Sequence, residues 1–310
     1  MISDKHSNTP SPSTVAPVAD AHVHFWNLGQ HSYPWLEEAE PSGPFGKTAA
    51  IRRNYLLADY LADAAQQNVQ RMVHVEAGWN PHEPLGEMRW IQALADRRGA
   101  PHAHIAHIDL AHAHVEAMIA AHATFPLFRG VRDRLFEGDF TAASVHATRM
   151  DNPAWRAGLK ALDRRRLVFD LQCPPMLVPR AARLVREFEG VSFVLTHAAY
   201  PPASDSPDFQ KWADGMAALS EAPNVAVKLS GLMLTRKQWQ PDDARHACDT
   251  LLQTFGSSRV LVASNFPVDR LFAPLDELFD SYREWISALP ARAQHAILHD
   301  NTCRIYRLEH

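Results

Sequence analysis

Short apolar segments that are typical of β-strands alternate eight times with helical segments along this chain. The strand segments cover residues 15–24, 71–76, 103–110, 128–134, 167–172, 191–197, 225–230 and 259–265. Most are continuous apolar runs, as expected for strands that are covered on both faces. Such alternation predicts a parallel sheet, and eight units predict a single-domain α/β fold, the (β/α)8 TIM barrel. A doubly wound open sheet is the alternative, which the lack of a glycine-rich phosphate loop after the first strand disfavours.

Helical segments fill the spaces between the strands. Residues 56–67 show the pattern, with apolar side chains at Leu57, Tyr60, Leu61 and Ala64 on one stripe. The other predicted helices cover residues 84–98, 112–122, 151–163, 179–189, 208–220, 242–255, 274–288 and 290–299. Residues 25–58 are rich in Trp, Tyr, Pro and Gly and are too irregular for a helix. A loop of this length in a compact domain is usually functional.

Composition narrows the class of protein. A length of 310 residues with 46% hydrophobic side chains suits one barrel, and a net charge of -4 offers no electrostatic basis for binding nucleic acid. Cys173, Cys248 and Cys303 show no C-x-x-C spacing, which argues against a disulfide framework or a thiolate zinc site and fits a reducing compartment. We find neither a transmembrane run nor a signal-peptide pattern and therefore expect a cytoplasmic protein. Residues 1–14 are polar and predict a disordered tail before the barrel at 15–308.

Polar side chains stand at the carboxyl end of every predicted strand, where a barrel carries its active site. In chain order they are His22 and His24, His74 and Glu76, His107 and Asp109, Arg132, Asp170 and Gln172, His197, Lys228 and Ser230, and Asn265 followed by Asp269. Buried charge is costly unless it is paired or ligated. Polar groups from all eight strands converge on the opening at the carboxyl end of the barrel (the mouth). They therefore indicate an active or binding site there.

The histidines of this chain fall into three groups. Residues two apart on a strand share a face, so Asp20, His22 and His24 should point the same way. His22, His24 and His197 together suit a divalent cation, although a His-x-His pair alone is common in a chain with 18 histidines. His74 and His107 are expected to be hydrogen-bonded core or supporting groups. A third group is expected to be solvated on or near helix surfaces: His102, His104, His112, His114 and His122.

Several other side chains are candidates for binding a substrate. The forked guanidinium of Arg132 suits a carboxylate. Lys228 is either a buried amine at the site or the partner of a carboxylate such as Asp170, and the sequence leaves both open. Aromatic residues of the long loop and of strand two are expected to wall the pocket and stack on a ring: Phe25, Trp26, Tyr33, Trp35 and Trp79. Gln172 completes the predicted binding set.

At these residues the chain resembles the amidohydrolase superfamily, and in particular its branch of fuconolactonase-, rhamnonolactonase- and 2-pyrone-4,6-dicarboxylate-lactonase-like proteins. The matching stretches are DAHVHFW at 20–26, HVEAGW at 74–79, FRGVRDRL at 128–135, THAAYP at 196–201, NVAVKLSGL at 224–232, VLVASNFPVD at 260–269 and NTCRIYRL at 301–308. The resemblance implies that His22, His24 and His197 are the histidines of the site. It also implies that Arg132 matches an arginine that holds the substrate carboxylate in the dicarboxylate lactonase.

One position departs from the family pattern. Asn265 falls where most relatives carry the eighth-strand aspartate that binds metal or deprotonates water, and an amide has no basic site near neutral pH. Strand four offers no lysine or glutamate to bridge two metals, and strand five no histidine. The resemblance therefore implies one divalent metal, Zn or Mn, or none.

Three functions follow as hypotheses. The first is hydrolysis of a lactone of a sugar acid or of a carboxylated aromatic catabolite, with Asp269 or Glu76, and thirdly His197, as the base that deprotonates water. The second is that the protein is a metal-dependent decarboxylase of an aromatic or keto acid. The resemblance allows this reaction because other relatives on this barrel perform it. The third is a catalytically impaired barrel that binds a small carboxylate. All three predict a small-molecule partner, without nucleic acid or membrane, and leave a homo-oligomer open.

Overall fold

The computed structural model describes residues 15–37, 48–136, 148–234 and 238–308. The predicted disordered tail at 1–14 lies outside the described residues, as do parts of the long loop after the first strand. None of the helices in the described ranges combines the length and apolarity that crossing a bilayer requires.

Eight parallel strands form one sheet in the order β1 to β8. Their bounds are Val18–Val23, Val69–Val75, Ala103–His107, Phe128–Arg134, Val168–Gln172, Ser192–Leu195, Val225–Leu229 and Val260–Val262. Beyond the last strand, the Asn265 amide donates to the His22 carbonyl at 2.8 Å, and the His24 amide donates to the Phe266 carbonyl at 2.8 Å. These bonds join the two outer strands of the sheet. The predicted (β/α)8 barrel is thereby confirmed.

Helices connect the strands and cover the outside of the sheet. They are α1 Pro34–Glu37, α2 Leu57–Asp63, α3 Gly86–Arg98, α4 Val115–His122, α5 Pro153–Asp163, α6 Val178–Glu187, α7 Pro207–Ser220, α8 Pro241–Phe255, α9 Leu275–Ile286, α10 Ala291–His295 and α11 Asn301–Tyr306. The start of α5 shows the local logic, because Pro153 occupies the first turn and the Asn152 side chain accepts from the Ala154 amide. The predicted helix 290–299 continues to residue 306 through a π-helical turn at Ala296–Asp300.

The apolar core has two layers. Small side chains such as Ala19, Ala21 and Ala103 point into the barrel, where Cys303 and Tyr306 of α11 pack against them. Because Ala19 and Ala103 lie near the amino ends of their strands, α11 fills that end of the barrel. A larger layer with aromatic side chains packs between the strands and the helices. The carboxyl end of the barrel is left to polar side chains, which is where the site lies.

Candidate active site

A bulge in β1 sets the direction of the first two histidines. Asp20 pairs with Met72 of β2 and Val23 pairs with His74, so three steps on β1 oppose two on β2. The extra residue breaks the alternation. Asp20 turns away from the mouth, where its carboxylate accepts from the Tyr60 hydroxyl of α2 at 2.7 Å. The prediction that Asp20 shares a face with His22 and His24 is therefore wrong.

Three buried imidazoles meet at the mouth of the barrel. The ring of His22 lies 4.8 Å from that of His24 and 4.8 Å from that of His197. His24 and His197 are each held by a hydrogen bond at Nδ1. His24 Nδ1 donates to the Val75 carbonyl at 2.8 Å, and His197 Nδ1 lies 3.0 Å from Ser230 Oγ. The structure thus brings the three predicted site histidines together.

Hydrogen bonds assign the proton positions of the first two rings. A carbonyl only accepts, so His24 Nδ1 carries a proton and its Nε2 keeps a lone pair. The Lys228 ammonium lies 3.3 Å from His22 Nδ1 and donates to it, which leaves the His22 proton on Nε2. That proton points at His24 Nε2, 3.1 Å away. The pair therefore forms one directed chain of hydrogen bonds that ends at the β2 carbonyl.

The electrostatics keep these rings neutral. Burial lowers the pKa of His22 and of His197 well below the ordinary range, and nearby Lys228 and Arg132 add to the effect. Burial, with the Arg132 guanidinium, lowers the pKa of His24 to about 3. Neutral imidazoles can ligate a metal or exchange hydrogen bonds with a substrate, but they do not supply a cation of their own at neutral pH.

Lys228 belongs to a buried ion pair. Its ammonium lies 2.5 Å from the Asp170 carboxylate, and both side chains are fully buried. The other oxygen of Asp170 accepts from the Tyr306 hydroxyl of α11 at 2.7 Å. Of the two possibilities left open by the sequence, the structure shows the pairing with Asp170. Lys228 then acts on the mouth through its contact with His22 rather than as a free amine.

Glu76 and Arg132 form a second pair at the mouth. Arg132 donates through Nε to Glu76 Oε1 at 2.6 Å and through Nη2 to the Glu76 carbonyl at 2.7 Å. Burial raises the pKa of the Glu76 carboxyl, but Arg132, His107 and the Gly78 amide outweigh it and hold that pKa at about 2. A carboxylate with so low a pKa is a poor base. The same contact neutralises the charge of Arg132, of which only Nη1 is without an acceptor among the described residues.

Asp269, unlike Glu76, is a buried carboxyl whose pKa is raised. Its carboxylate accepts from the Asn265 amide side chain at 2.7 Å and from the Gly231 backbone amide at 2.9 Å. Burial nevertheless raises its pKa to about 7. Gly231 also touches His197, since an added Cβ would lie 2.8 Å from that ring and its φ is +58°. Glycine is thus required there, and Asp269, Gly231 and His197 form one contiguous group. Asn265 supports the carboxylate instead of replacing it.

The backbone after β6 is strained. His197, Ala198, Ala199 and Tyr200 all have φ between 48° and 58°, in the left-handed region. Each such residue costs about 1–2 kcal/mol. The turn is held by the Tyr200 amide, which donates to the His197 carbonyl at 2.7 Å, and by Trp212 Nε1, which donates to the Ala198 carbonyl at 2.8 Å. Strain of this kind clusters at functional sites, and nothing in the sequence pattern predicts it.

The predicted aromatic wall divides in two. Trp26 stacks on His24 with ring centres 6.5 Å apart and meets Trp35 edge-on at 5.8 Å, so these two residues adjoin the imidazoles. Tyr33 packs edge-on against Trp79 at 5.5 Å. Neither Tyr33 nor Trp79 contacts a mouth histidine in the described ranges. Gln172 donates to the Tyr200 hydroxyl at 2.8 Å, and the Tyr200 ring centre lies 5.6 Å from that of His197.

The sequence reading missed one buried carboxyl. Glu87 of α3 is buried and accepts from the Ala77 amide at 2.8 Å. Burial, reinforced by the neighbouring Glu76 charge, raises its pKa well above the ordinary range. Glu87 lies within the predicted helix 84–98, where a lone acidic residue is typical of a solvated face, so no local signal marks it.

Several supporting histidines differ from expectation. His74 is a core group as predicted, accepting from the Phe25 amide at 3.1 Å. His104 lies 2.9 Å from His74 and is fully buried, and His122 is also buried, so their prediction as solvated residues is wrong. Both lie in the buried layer between strands and helices, where a polar side chain is not expected from the sequence. His107 is exposed and so is not a core group, but its Nδ1 lies 3.3 Å from the Arg132 carbonyl, which agrees with its prediction as a supporting group.

Two of the mouth histidines are spaced so that they could share one divalent cation. His22 Nε2 and His24 Nε2 lie 3.1 Å apart, close to the ~3.3 Å that separates two nitrogen ligands of a tetrahedral zinc ion. His197 does not complete the set in this structure, because ligand atoms of these three histidines do not all lie within 4.8 Å of one another; its Nε2 is the nitrogen that the Ser230 contact leaves available. If His22 held a metal through Nε2, its ring proton would be on Nδ1, and Lys228 would have to accept it as a neutral amine. Burial lowers the pKa of Lys228 in that direction.

The fold and the mouth define a class: a (β/α)8 barrel with histidines and carboxylates gathered at the carboxyl ends of its strands. The chain belongs to the Amidohydrolase family, whose pattern matches residues 19–308. This confirms the resemblance inferred from the sequence motifs, and family membership supports a hydrolase.

Individual relatives cover nearly the whole chain. The uncharacterized protein y4mH of Sinorhizobium fredii is 34% identical over 293 residues, which are 94% of this chain and 98% of that protein. The L-fucono-1,5-lactonase of Burkholderia ambifaria is 28% identical over 305 residues, covering 94% of this chain and 95% of that enzyme. A crystal structure of an amidohydrolase from Burkholderia multivorans with bound Zn matches with a TM-score of 0.80 at 23% identity, over 96% of this chain and 100% of that one. That likeness confirms the fold.

Proposed function

We propose that the protein opens a lactone of a sugar acid, with Asp269 as the base that deprotonates the attacking water. The observation that carries the proposal is the raised pKa of Asp269, about 7, in a buried carboxylate beside His197 at the mouth of the barrel. A base is most effective when its pKa lies near the working pH. The similarity to L-fucono-1,5-lactonases supports lactone hydrolysis as the reaction.

In this mechanism Asp269 takes one proton from water while the water oxygen forms a bond to the lactone carbonyl carbon. The carbonyl oxygen becomes an oxyanion, which the His22 Nε2 proton would stabilise in the metal-free site by turning from His24 Nε2, 3.1 Å away. Collapse of this intermediate breaks the bond to the ring oxygen, which takes up the proton that Asp269 holds. The product is an open hydroxy acid, which releases one proton at neutral pH. A divalent cation held by His22 and His24, with His197 turned towards it, would supply Lewis-acid polarisation of the carbonyl.

The pairing of Arg132 supports one of the two lactone classes over the other. Its charge is neutralised by Glu76 at 2.6 Å, so Arg132 does not offer an unpaired guanidinium to a substrate carboxylate. Burying a carboxylate without a counter-charge is costly. A neutral sugar lactone, which offers hydroxyl groups and an apolar ring face to Trp26, avoids that cost. We therefore favour a sugar-acid lactone over a pyrone dicarboxylate.

A lactone panel tests the proposal. The purified protein, supplied with Zn or Mn, is mixed with L-fucono-1,5-lactone, with other aldono-1,5-lactones and with 2-pyrone-4,6-dicarboxylate in the presence of a pH indicator. We expect proton release from at least one sugar lactone and little from the dicarboxylate. If no γ- or δ-lactone is turned over, the proposal fails. Release of carbon dioxide from aromatic or keto acids by the same inert preparation would establish the decarboxylase alternative instead.

The variant Asn265→Asp addresses the third hypothesis, a barrel that binds without catalysis. Aspartate at this position restores the carboxylate that the family carries at the end of strand eight. The proposal expects the wild-type protein to be active already, with Asp269 as its base. An inert wild type together with an active Asn265→Asp variant would contradict it and identify a binding protein that had lost its base.

A further inference from the structure

A chain of buried polar contacts runs inside the barrel from α11 to the mouth. It begins at Tyr306, whose ring packs among the small side chains that point into the barrel at its amino end. It continues through Asp170 of β5 and Lys228 of β7 and ends at His22 of β1. All four side chains are fully buried. Solvent therefore screens the contacts between them only weakly.

Each link of this chain lies within hydrogen-bond distance. The Tyr306 hydroxyl donates to Asp170 Oδ1 at 2.7 Å. The Lys228 ammonium donates to Asp170 Oδ2 at 2.5 Å and lies 3.3 Å from His22 Nδ1. Lys228 Nζ also lies 5.2 Å from the centre of the Tyr306 ring, within the range of a cation–π contact. Tyr306 thus contacts both members of the ion pair that borders the mouth.

The hydroxyl of Tyr306 affects the direction of the Lys228 ammonium. A buried ion pair is stable only when the remaining lone pairs of its carboxylate receive donors, and the Tyr306 hydroxyl supplies the donor to Asp170 Oδ1. With that oxygen bonded, the ammonium stays on Oδ2 and keeps a second N–H for His22. Without the hydroxyl, Oδ1 becomes a buried charged acceptor without a donor, which is costly. An ammonium that turns to bridge both oxygens turns away from His22.

We propose that Tyr306 is a positioning residue for the mouth, which acts through Asp170 and Lys228 to hold the hydrogen bond at His22 Nδ1. Donation to Nδ1 keeps the ring proton on Nε2 and polarises the ring, so that the Nε2–H becomes a stronger donor. The consequence for catalysis rests on the proposed function, in which this proton stabilises the oxyanion. The hydrogen bond at Nδ1 is a property of the protein without substrate and can be measured separately.

The competing interpretation is that the Tyr306 hydroxyl only anchors α11 in the barrel. Both interpretations expect a lower Tm when the hydroxyl is removed, so stability does not separate them. Only the positioning role expects a change at His22 Nδ1. It also expects a loss of kcat with an unchanged KM, because Tyr306 lies at the end of the barrel opposite the mouth and does not contact the substrate.

The variant Tyr306→Phe is the test, because it removes the hydroxyl and keeps the ring. The full chain, treated with a chelator and labelled with ¹⁵N at histidine, is compared with the wild type by NMR, and the His22 signals are assigned by their loss in His22→Gln. We expect the His22 Nδ1 signal to move downfield, towards the position of an imidazole nitrogen that accepts no hydrogen bond. An unchanged signal overturns the proposal. Lys228→Met removes the donor itself and should move the same signal at least as far; an unchanged signal there refutes the proposal even if Tyr306→Phe failed to fold.

Activity on a lactone that the panel identifies gives the second readout. We expect Tyr306→Phe to lower kcat about three- to tenfold, as the loss of one positioned hydrogen bond does, with KM unchanged. Tyr282→Phe is the matched control, since it removes another buried tyrosine hydroxyl, which donates to the Ala263 carbonyl at 3.4 Å. It should keep both kcat and the His22 signal. An equal loss of kcat in Tyr282→Phe, or an effect of Tyr306→Phe on KM alone, would contradict the positioning role. If the panel finds no turnover, the proposed function fails, and the ¹⁵N signals still decide on this chain of contacts.

Discussion

The variant Asp269→Asn tests the central feature of the site by its effect on stability. In the folded protein the pKa of Asp269 is raised from the usual 3.8 to about 7. The folded state therefore keeps its proton while the unfolded chain loses one, so stability falls as pH rises from about 4 to about 7 and then stays level. The difference of about 3 units corresponds to roughly 4 kcal/mol. Asparagine carries no such proton, so its stability relative to wild type should increase across this window.

Thermal and denaturant unfolding of both proteins from pH 4 to 8 gives this difference directly, because all other groups titrate equally in the two. Glu76→Gln is the matched control. Its carboxyl has a pKa of about 2, below the usual 4.5, so it contributes stability that is present above about 4.5 and is lost as pH falls. The difference between Glu76→Gln and wild type should thus stay nearly constant from about pH 4.5 to 8, the range in which the Asp269→Asn difference changes. A constant difference between Asp269→Asn and wild type from pH 4 to 8 would refute the reasoning.

The same pair of variants separates the two candidate bases by activity. A base works when deprotonated, so kcat/KM of the wild type should rise with pH and level off above about 7, the pKa of Asp269. Asp269→Asn should lower kcat by about 10²- to 10⁴-fold. Glu76→Gln should leave the inflection in place, although a loosened Arg132 can change KM. An inflection that disappears in Glu76→Gln and persists in Asp269→Asn would assign the base to Glu76.

Three further variants test the supports of the mouth. Arg132→Met leaves the Glu76 carboxylate buried and unpaired and should cost about 3–5 kcal/mol of unfolding free energy in denaturant titrations; a loss below 1 kcal/mol would show that the pair is solvated. Lys228→Met removes the partner of a fully buried carboxylate and should cost a similar amount. Gly231→Ala places a methyl group 2.8 Å from the His197 ring, so we expect a loss of kcat larger than the loss of Tm implies, and full activity would contradict this packing.

The sequence by itself determined the barrel and the membership of its mouth. Strand-length apolar runs that alternate with amphipathic helices are local patterns, and they identify the carboxyl ends of the strands before any coordinates exist. His22, His24, His197 and Asp269 were identified in this way, and the motifs around them indicated the family. Local spacing suffices here because a closed parallel barrel brings all strand ends to one side.

Only the tertiary structure decided which of these groups act on one another. Lys228 and Asp170 are 58 residues apart, and Glu76 and Arg132 are 56 apart, so no local pattern links them. The bulge that turns Asp20 away depends on register with β2, a relation between two segments. The choice of base follows from these pairings, because the pKa of a buried carboxyl is set by whichever charge or dipole the fold places beside it. Sequence placed two carboxylates at the mouth; packing gave one a guanidinium and left the other with backbone and amide donors.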